Sequence, residues 1–191
     1  GSNDGTIESC YNTGAVSGTG NDVGGVCGNN SLGSTIESCY NMGKVSGNDD
    51  VGGVCGGNSG TIESCYNTGA VSGNLFVGGV CGDNDGAITS CYYNKDICGI
   101  GAIWNADDEA NKVVGLSTVE MTGENAVTTM FGTSTEWTAF ANDTSSENCI
   151  LYYPQLTAFV SDPPVAEDFI SKTAKLHNFG TEVAPDWGVC T

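Results

Sequence analysis

The chain has 191 residues, long enough for one or two domains with a buried core. Its 23 Asp and Glu stand against five lysines and no arginine, a net charge of -18 that argues against nucleic acid and anionic lipid as partners, because both require cationic neutralisation. No apolar run reaches the roughly 18 residues of a membrane span, so no membrane insertion is expected.

In chain order, the sentence TIESCYNTGAVSG at 6 to 18 recurs unchanged at 61 to 73, with TIESCYNMGKVSG at 35 to 47 between them. A second phrase, VGGVCG, stands at 23 to 28, 51 to 56 and 77 to 82. Anchored on Ile7, Ile36, Ile62 and Ile88, the period is 29, then 26, then 26 residues. Apolar pieces of a few residues separated by Asn, Asp and Gly read as short strands between turns, and no window shows the 3.6-residue period of a helix. The expected fold is all-β: a parallel β-solenoid over 3–94 with coils of about 26 residues, each coil pairing with its like. Propeller blades need longer units, about 40 residues each. Gly1 and Ser2 resemble an expression scar, and the natural protein is expected to extend upstream.

Strict alternation along IESCY would bury Ile7 with Ser9 and Tyr11 and expose Glu8 with Cys10. A bend near Ser9 resolves this by turning both Ile7 and Cys10 inward, leaving Glu8 and Tyr11 in solvent or at the rim. Val23 and Val26 pose the same parity problem, for which the Gly24-Gly25 pair offers a flexible kink.

Past the repeats, 95–159 is expected to close the solenoid as a cap with a short helix and strands. Ser117-Thr118-Val119-Glu120 fits a capping box ahead of EMTGENAVTTMF, a helix of about three turns that Gly123 weakens. WTAF at 137–140 and ILYYPQLTAF at 150–159 read as strands that lie across the last coil. The remainder, 160–191, is a linker or docking tail.

The units VGGVCGNNSLG, VGGVCGGNSG and VGGVCGDNDG, each followed by a TIESCYN-like strand, resemble the GLUG-motif repeats of bacterial cell-surface and adhesin-type proteins. The later VVGLSTVEMTGENAVTTM and ILYYPQL resemble the segment closing such arrays. The resemblance implies a secreted or wall-attached protein without implying a reaction. Cys27, Cys55 and Cys81 depart from the small or apolar residue usual at that place.

Catalysis is not expected. The single histidine, His177, lies in the tail and rules out metal sites that need two imidazoles, and the chain has few cations to stabilise an anionic intermediate. The ten cysteines divide into local couples: Cys10 with Cys27, Cys39 with Cys55, Cys65 with Cys81, Cys91 with Cys98, and Cys149 with Cys190. Disulfides within each coil and ladders of free, buried thiols are the competing readings. Glu8, Glu37 and Glu63 form a carboxylate column, and Tyr11, Tyr40, Tyr66 and Tyr92 an aromatic one. Facing outward, the tyrosines would stack on sugars or a protein; facing inward, they are core. Calcium on the carboxylates or on Asp22, Asp49, Asp50, Asp83 and Asp85 is the sharper reading of the acids. No EF-hand loop supports it, and solvated side chains are the plainer one.

The sequence therefore points to an extracellular structural or adhesive module, an acidic solenoid that displays or binds a protein or glycan and can associate end to end. The alternative is an accessory carbohydrate-binding region of a larger enzyme.

Overall fold

The structure is a computed structural model and describes residues 1–101, 113–143 and 150–159. Cys149, Cys190, His177 and the tail 160–191 lie outside the described residues, as does 102–112. The chain divides into two compact units, Gly1–Leu116 and Ser117–Thr191.

The first unit is the expected parallel β-solenoid, with about four coils. Five parallel ladders run along it. One joins Thr6–Glu8, Thr35–Glu37, Thr61–Glu63 and Ala87–Thr89 in strict register, so the four isoleucines form one column and Glu8, Glu37, Glu63 and Thr89 the next. A second stacks Tyr11, Tyr40, Tyr66 and Tyr92, and Val113–Leu116 pairs with Cys91–Asn94, carrying this sheet past residue 94. Val16, Val45 and Val71 align in a third ladder, and Val23, Val51 and Val77 in a fourth. The fifth aligns Cys27, Cys55 and Cys81 and, three residues further along the same strands, Asn30, Asn58 and Asn84, with Asn3 below Asn30. Ser2 pairs with Asn29, and the Gly1 carbonyl accepts from the Gly28 and Asn29 amides at 3.0 and 3.1 Å. The two residues that look like a scar therefore occupy the places of Gly28 and Asn29 one coil earlier.

The bend near Ser9 is present and repeats. Ser9, Ser38, Ser64 and Ser90 have φ of 52, 49, 53 and 51°, the left-handed region that non-glycine residues seldom enter. Ladder bonding survives the turn, since the amides of Ser9, Ser38 and Ser64 donate to the carbonyls of Glu37, Glu63 and Thr89. Each serine reverses the side-chain parity, and in the inner coils the following cysteine, Cys39, Cys65 or Cys91, joins the isoleucine inside; Cys10, expected inward as well, is exposed because no earlier coil covers this part of the first one.

VGGV solves its parity differently from the expected flexible kink. No glycine of this phrase has positive φ; the left-handed residue stands just before it, at Asp22, Asp50 and Phe76. The glycines supply space instead: a Cβ on Gly52 would sit 1.8 Å from the Cys55 carbonyl oxygen, and one on Gly24 2.0 Å from that of Cys27. The two valines of each phrase consequently enter different apolar clusters. Val54 and Val80 pack with the isoleucines and cysteines, whereas Val23 and Val51 pack with Val45, Val71 and Cys98.

In the second unit the capping box closes as expected. The Ser117 amide and hydroxyl bond Glu120 Oε2 at 2.8 and 2.7 Å, and the Glu120 amide donates to Ser117 Oγ at 3.3 Å. The helix is shorter than expected and starts later, Ala126–Phe131, because Gly123 turns left-handed at φ 85° and ends the preceding turn. Trp137–Thr138 pairs antiparallel with Gln155–Leu156, and the rings of Phe131 and Trp137 stack at 4.6 Å.

Candidate functional site

The positions that recur from coil to coil converge on the solenoid interior. Ile36, Cys39, Cys55, Ile62, Cys65, Cys81, Ile88 and Cys91 are at most 1% exposed and belong to one cluster. Along the chain axis the cysteines make two columns, Cys10, Cys39, Cys65 and Cys91 in one and Cys27, Cys55 and Cys81 in the other.

The eight described cysteines are free thiols. The within-coil couples Cys10–Cys27, Cys39–Cys55 and Cys65–Cys81 are thus unbonded, and each thiol bonds locally. In the first column the donation runs back two residues: Cys39 to the Glu37 carbonyl at 3.0 Å and Cys65 to that of Glu63 at 3.1 Å. In the second it runs forward two, Cys55 to Gly57 and Cys81 to Asp83, both at 3.1 Å. The thiols that interact with one another are axial neighbours. A hydrogen bond from Cys65 holds Cys39 below the usual thiol range, whereas burial pushes Cys65 well above it. The Cys91–Cys98 couple is separated by packing, since Cys98 belongs to the valine cluster and its thiol is raised to about 12 by burial.

Buried asparagine ladders are the feature that sequence reasoning missed. Asn3 Nδ2 donates to Asn30 Oδ1 at 2.8 Å, Asn30 to Asn58 at 2.8 Å, and Asn58 to Asn84 at 2.7 Å. In the second ladder Asn12 donates to Asn41 at 2.8 Å and Asn41 to Asn67 at 2.7 Å, and Asn67 ends on the Cys98 sulfur at 3.2 Å. Each amide of the second ladder also donates to the carbonyl two residues on: Gly14, Gly43 and Gly69 at 2.7, 2.8 and 2.9 Å. The side chain thus holds its own turn and the next coil together. Asn41 and Asn67 lie against Gly25 and Gly53, where a Cβ would come within 2.3 Å of the amide. The signal was visible as YN recurring at fixed spacing, but asparagine beside glycine reads first as a turn residue.

The aromatic column is stacked as the register requires. Tyr11 and Tyr40 lie 5.1 Å apart and 8° from parallel, and Tyr40 and Tyr66 5.0 Å and 5°. As a binding surface it is largely closed, because Tyr40 and Tyr66 are 2% and 0% exposed while Tyr11 is 48%. The expectation of tyrosines at the rim therefore holds only for Tyr11; Tyr92 is partly buried, and burial raises its phenol. Glu8 and Glu63 are exposed and Glu37 partly buried, the arrangement of a largely solvated charge column.

At the corner preceding VGGV, burial raises the Asp50 carboxyl, and Asp22, Asp83 and Asp49 add to the rise. Among the described residues no three His, Cys, Asp or Glu converge as a metal ion requires, so the calcium reading has no assembled site there. No described helix is long and apolar enough to cross a membrane. Comparison with protein-family models, with curated proteins and with solved structures finds no match.

Proposed function

We propose that the chain is a structural module working outside the cell, an acidic solenoid whose task is to hold position and spacing. The observation that carries this reading is the use made of the repeated letters: Ile, Cys, Val, Asn and Tyr recur in order to join one coil to the next, and few of them reach the surface. What alternates outward is Glu, Thr and Ser, a solvated acidic face that resists self-adhesion and keeps a surface protein dispersed. The resemblance of the VGGVCG units to GLUG repeats of bacterial surface proteins points the same way.

The accessory carbohydrate-binding reading depends on an open aromatic platform, and within the tyrosine column Tyr40 and Tyr66 are closed while Tyr11 is open. A glycan array probed with the full chain, together with antibody labelling of intact cells, tests the proposal. Surface labelling without retained sugar is the expected result. Saturable sugar binding that falls on Tyr11→Ala would overturn it in favour of carbohydrate binding, and labelling confined to permeabilised cells would overturn the extracellular placement.

A further inference from the structure

We infer that Cys10 and Cys39 are an axial thiol couple, a modification site at which a small disulfide oxidant links the first coil to the second. The first observation is register. Glu8 pairs with Glu37 and Tyr11 with Tyr40, so the two cysteines, each in the short step between these strands, stack between ladders of adjacent coils that are paired on both sides. Such strands lie about 4.8 Å apart, within the roughly 4.4–6.8 Å Cα separation that a disulfide spans. The second observation is contact: the Cys10 amide donates to the Cys39 sulfur at 3.4 Å, and the two thiols interact directly. The third is access. Cys39, Cys65 and Cys91 are 0% exposed, whereas Cys10 in the same column is exposed to solvent. An oxidant therefore meets this column at Cys10, and the thiol next to it is Cys39.

The chemistry balances with glutathione disulfide as the oxidant. The Cys10 thiolate attacks one sulfur of the oxidant, forming a mixed disulfide and releasing one glutathione thiolate. The Cys39 thiolate, favoured by the hydrogen bond it accepts from Cys65, then attacks the Cys10 sulfur and releases the second glutathione. Two protein thiols lose two electrons and two protons, and one disulfide becomes two thiols. Burial raises the Cys10 thiol, so the first step accelerates as pH rises above neutrality.

This is linkage along a column, distinct from pairing across a coil, and the two outcomes separate by peptide mapping. Incubation of the full chain with glutathione disulfide, alkylation of the remaining thiols and cleavage after glutamate gives peptides 9–37 and 38–63. A Cys10–Cys39 bond joins these peptides, whereas a Cys10–Cys27 bond stays inside the first. The expected result is the joined pair in the wild type and in Cys27→Ser. Cys39→Ser should instead hold glutathione on Cys10, and Cys10→Ser should leave Cys39 as a thiol. Cys10 is exposed, so Cys10→Ser is expected to fold normally and keeps the test usable if Cys39→Ser does not fold. A bond inside 9–37, a glutathione adduct that persists on wild-type Cys10, or no oxidation at all would overturn the inference.

Discussion

Asn41→Ala and Asn12→Ala remove the same number of side-chain bonds from the same ladder and should differ sharply in cost. Asn41 donates to the Gly43 carbonyl and to Asn67 Oδ1 at 2.8 and 2.7 Å and accepts from Asn12 at 2.8 Å. It is 0% exposed, so no water replaces those partners. Three bonds at about 1 kcal/mol net each, plus about 1–2 kcal/mol for leaving the buried Gly43 carbonyl without its donor, give a loss of about 4–5 kcal/mol. Asn12 makes the matching bonds, to Gly14 O at 2.7 Å, to Asn41 Oδ1 at 2.8 Å and from the Gly14 amide at 3.2 Å, but near the surface. Solvent can satisfy most of what its removal exposes, and the expected loss is about 1 kcal/mol. Urea unfolding of the full chain, followed by far-ultraviolet circular dichroism, reads the difference. With an m-value near 2 kcal/mol/M the midpoint should fall by about 2 M for Asn41→Ala and about 0.5 M for Asn12→Ala. Equal shifts would refute the claim that buried amides, rather than the apolar columns alone, hold the coils in register.

Gly52→Ala should abolish the folded solenoid or lower its stability by more than about 4 kcal/mol, since its Cβ would lie 1.8 Å from backbone oxygen; Gly20→Ala, with nothing within 4 Å, should stay within about 0.5 kcal/mol by the same urea assay. Phe76 carries a bulky side chain at φ 51° where Asp22 and Asp50 stand in the preceding coils, so Phe76→Asn should raise stability by about 1 kcal/mol, seen as a higher thermal midpoint. Asp50 titrates higher in the fold than unfolded, so its contribution to stability is full below about pH 4 and is lost as pH rises through its folded range. Asp50→Asn should therefore stabilise the protein at pH 7 by a few tenths of a kcal/mol, the size of exposed charge interactions, and the gain should fade in high salt and at low pH in thermal melts.

The solenoid and its register were legible because a period of 26 residues with repeated letters permits little else, and the bend at Ser9 followed from needing Ile7 and Cys10 on one side. The asparagine ladders were not legible as core, because Asn12 and Asn41 sit beside Gly14 and Gly43 in what reads locally as turn chemistry. Only stacking reveals that the same amide also reaches the next coil. Tyr40 and Tyr66 were undecidable for the same reason, since a side chain's solvent access depends on what covers it and no local pattern records that. At Gly24 and Gly52 glycine was expected for its conformational freedom, yet close approach of the Cys27 and Cys55 carbonyls is what demands it.

The asparagine ladders give the solenoid a sense of direction. Within the two ladders each Asn–Asn link runs the same way, with the amide nitrogen of an earlier coil donating to the oxygen of the next. The aligned amide dipoles polarise one another, and the two ends of a stack are chemically unlike. An added coil fits only if it points the same way, because a reversed one would set oxygen against oxygen or nitrogen against nitrogen at the junction. Any lengthening of such a stack would thus be polar, head to tail, like adding a unit to a filament with a plus and a minus end.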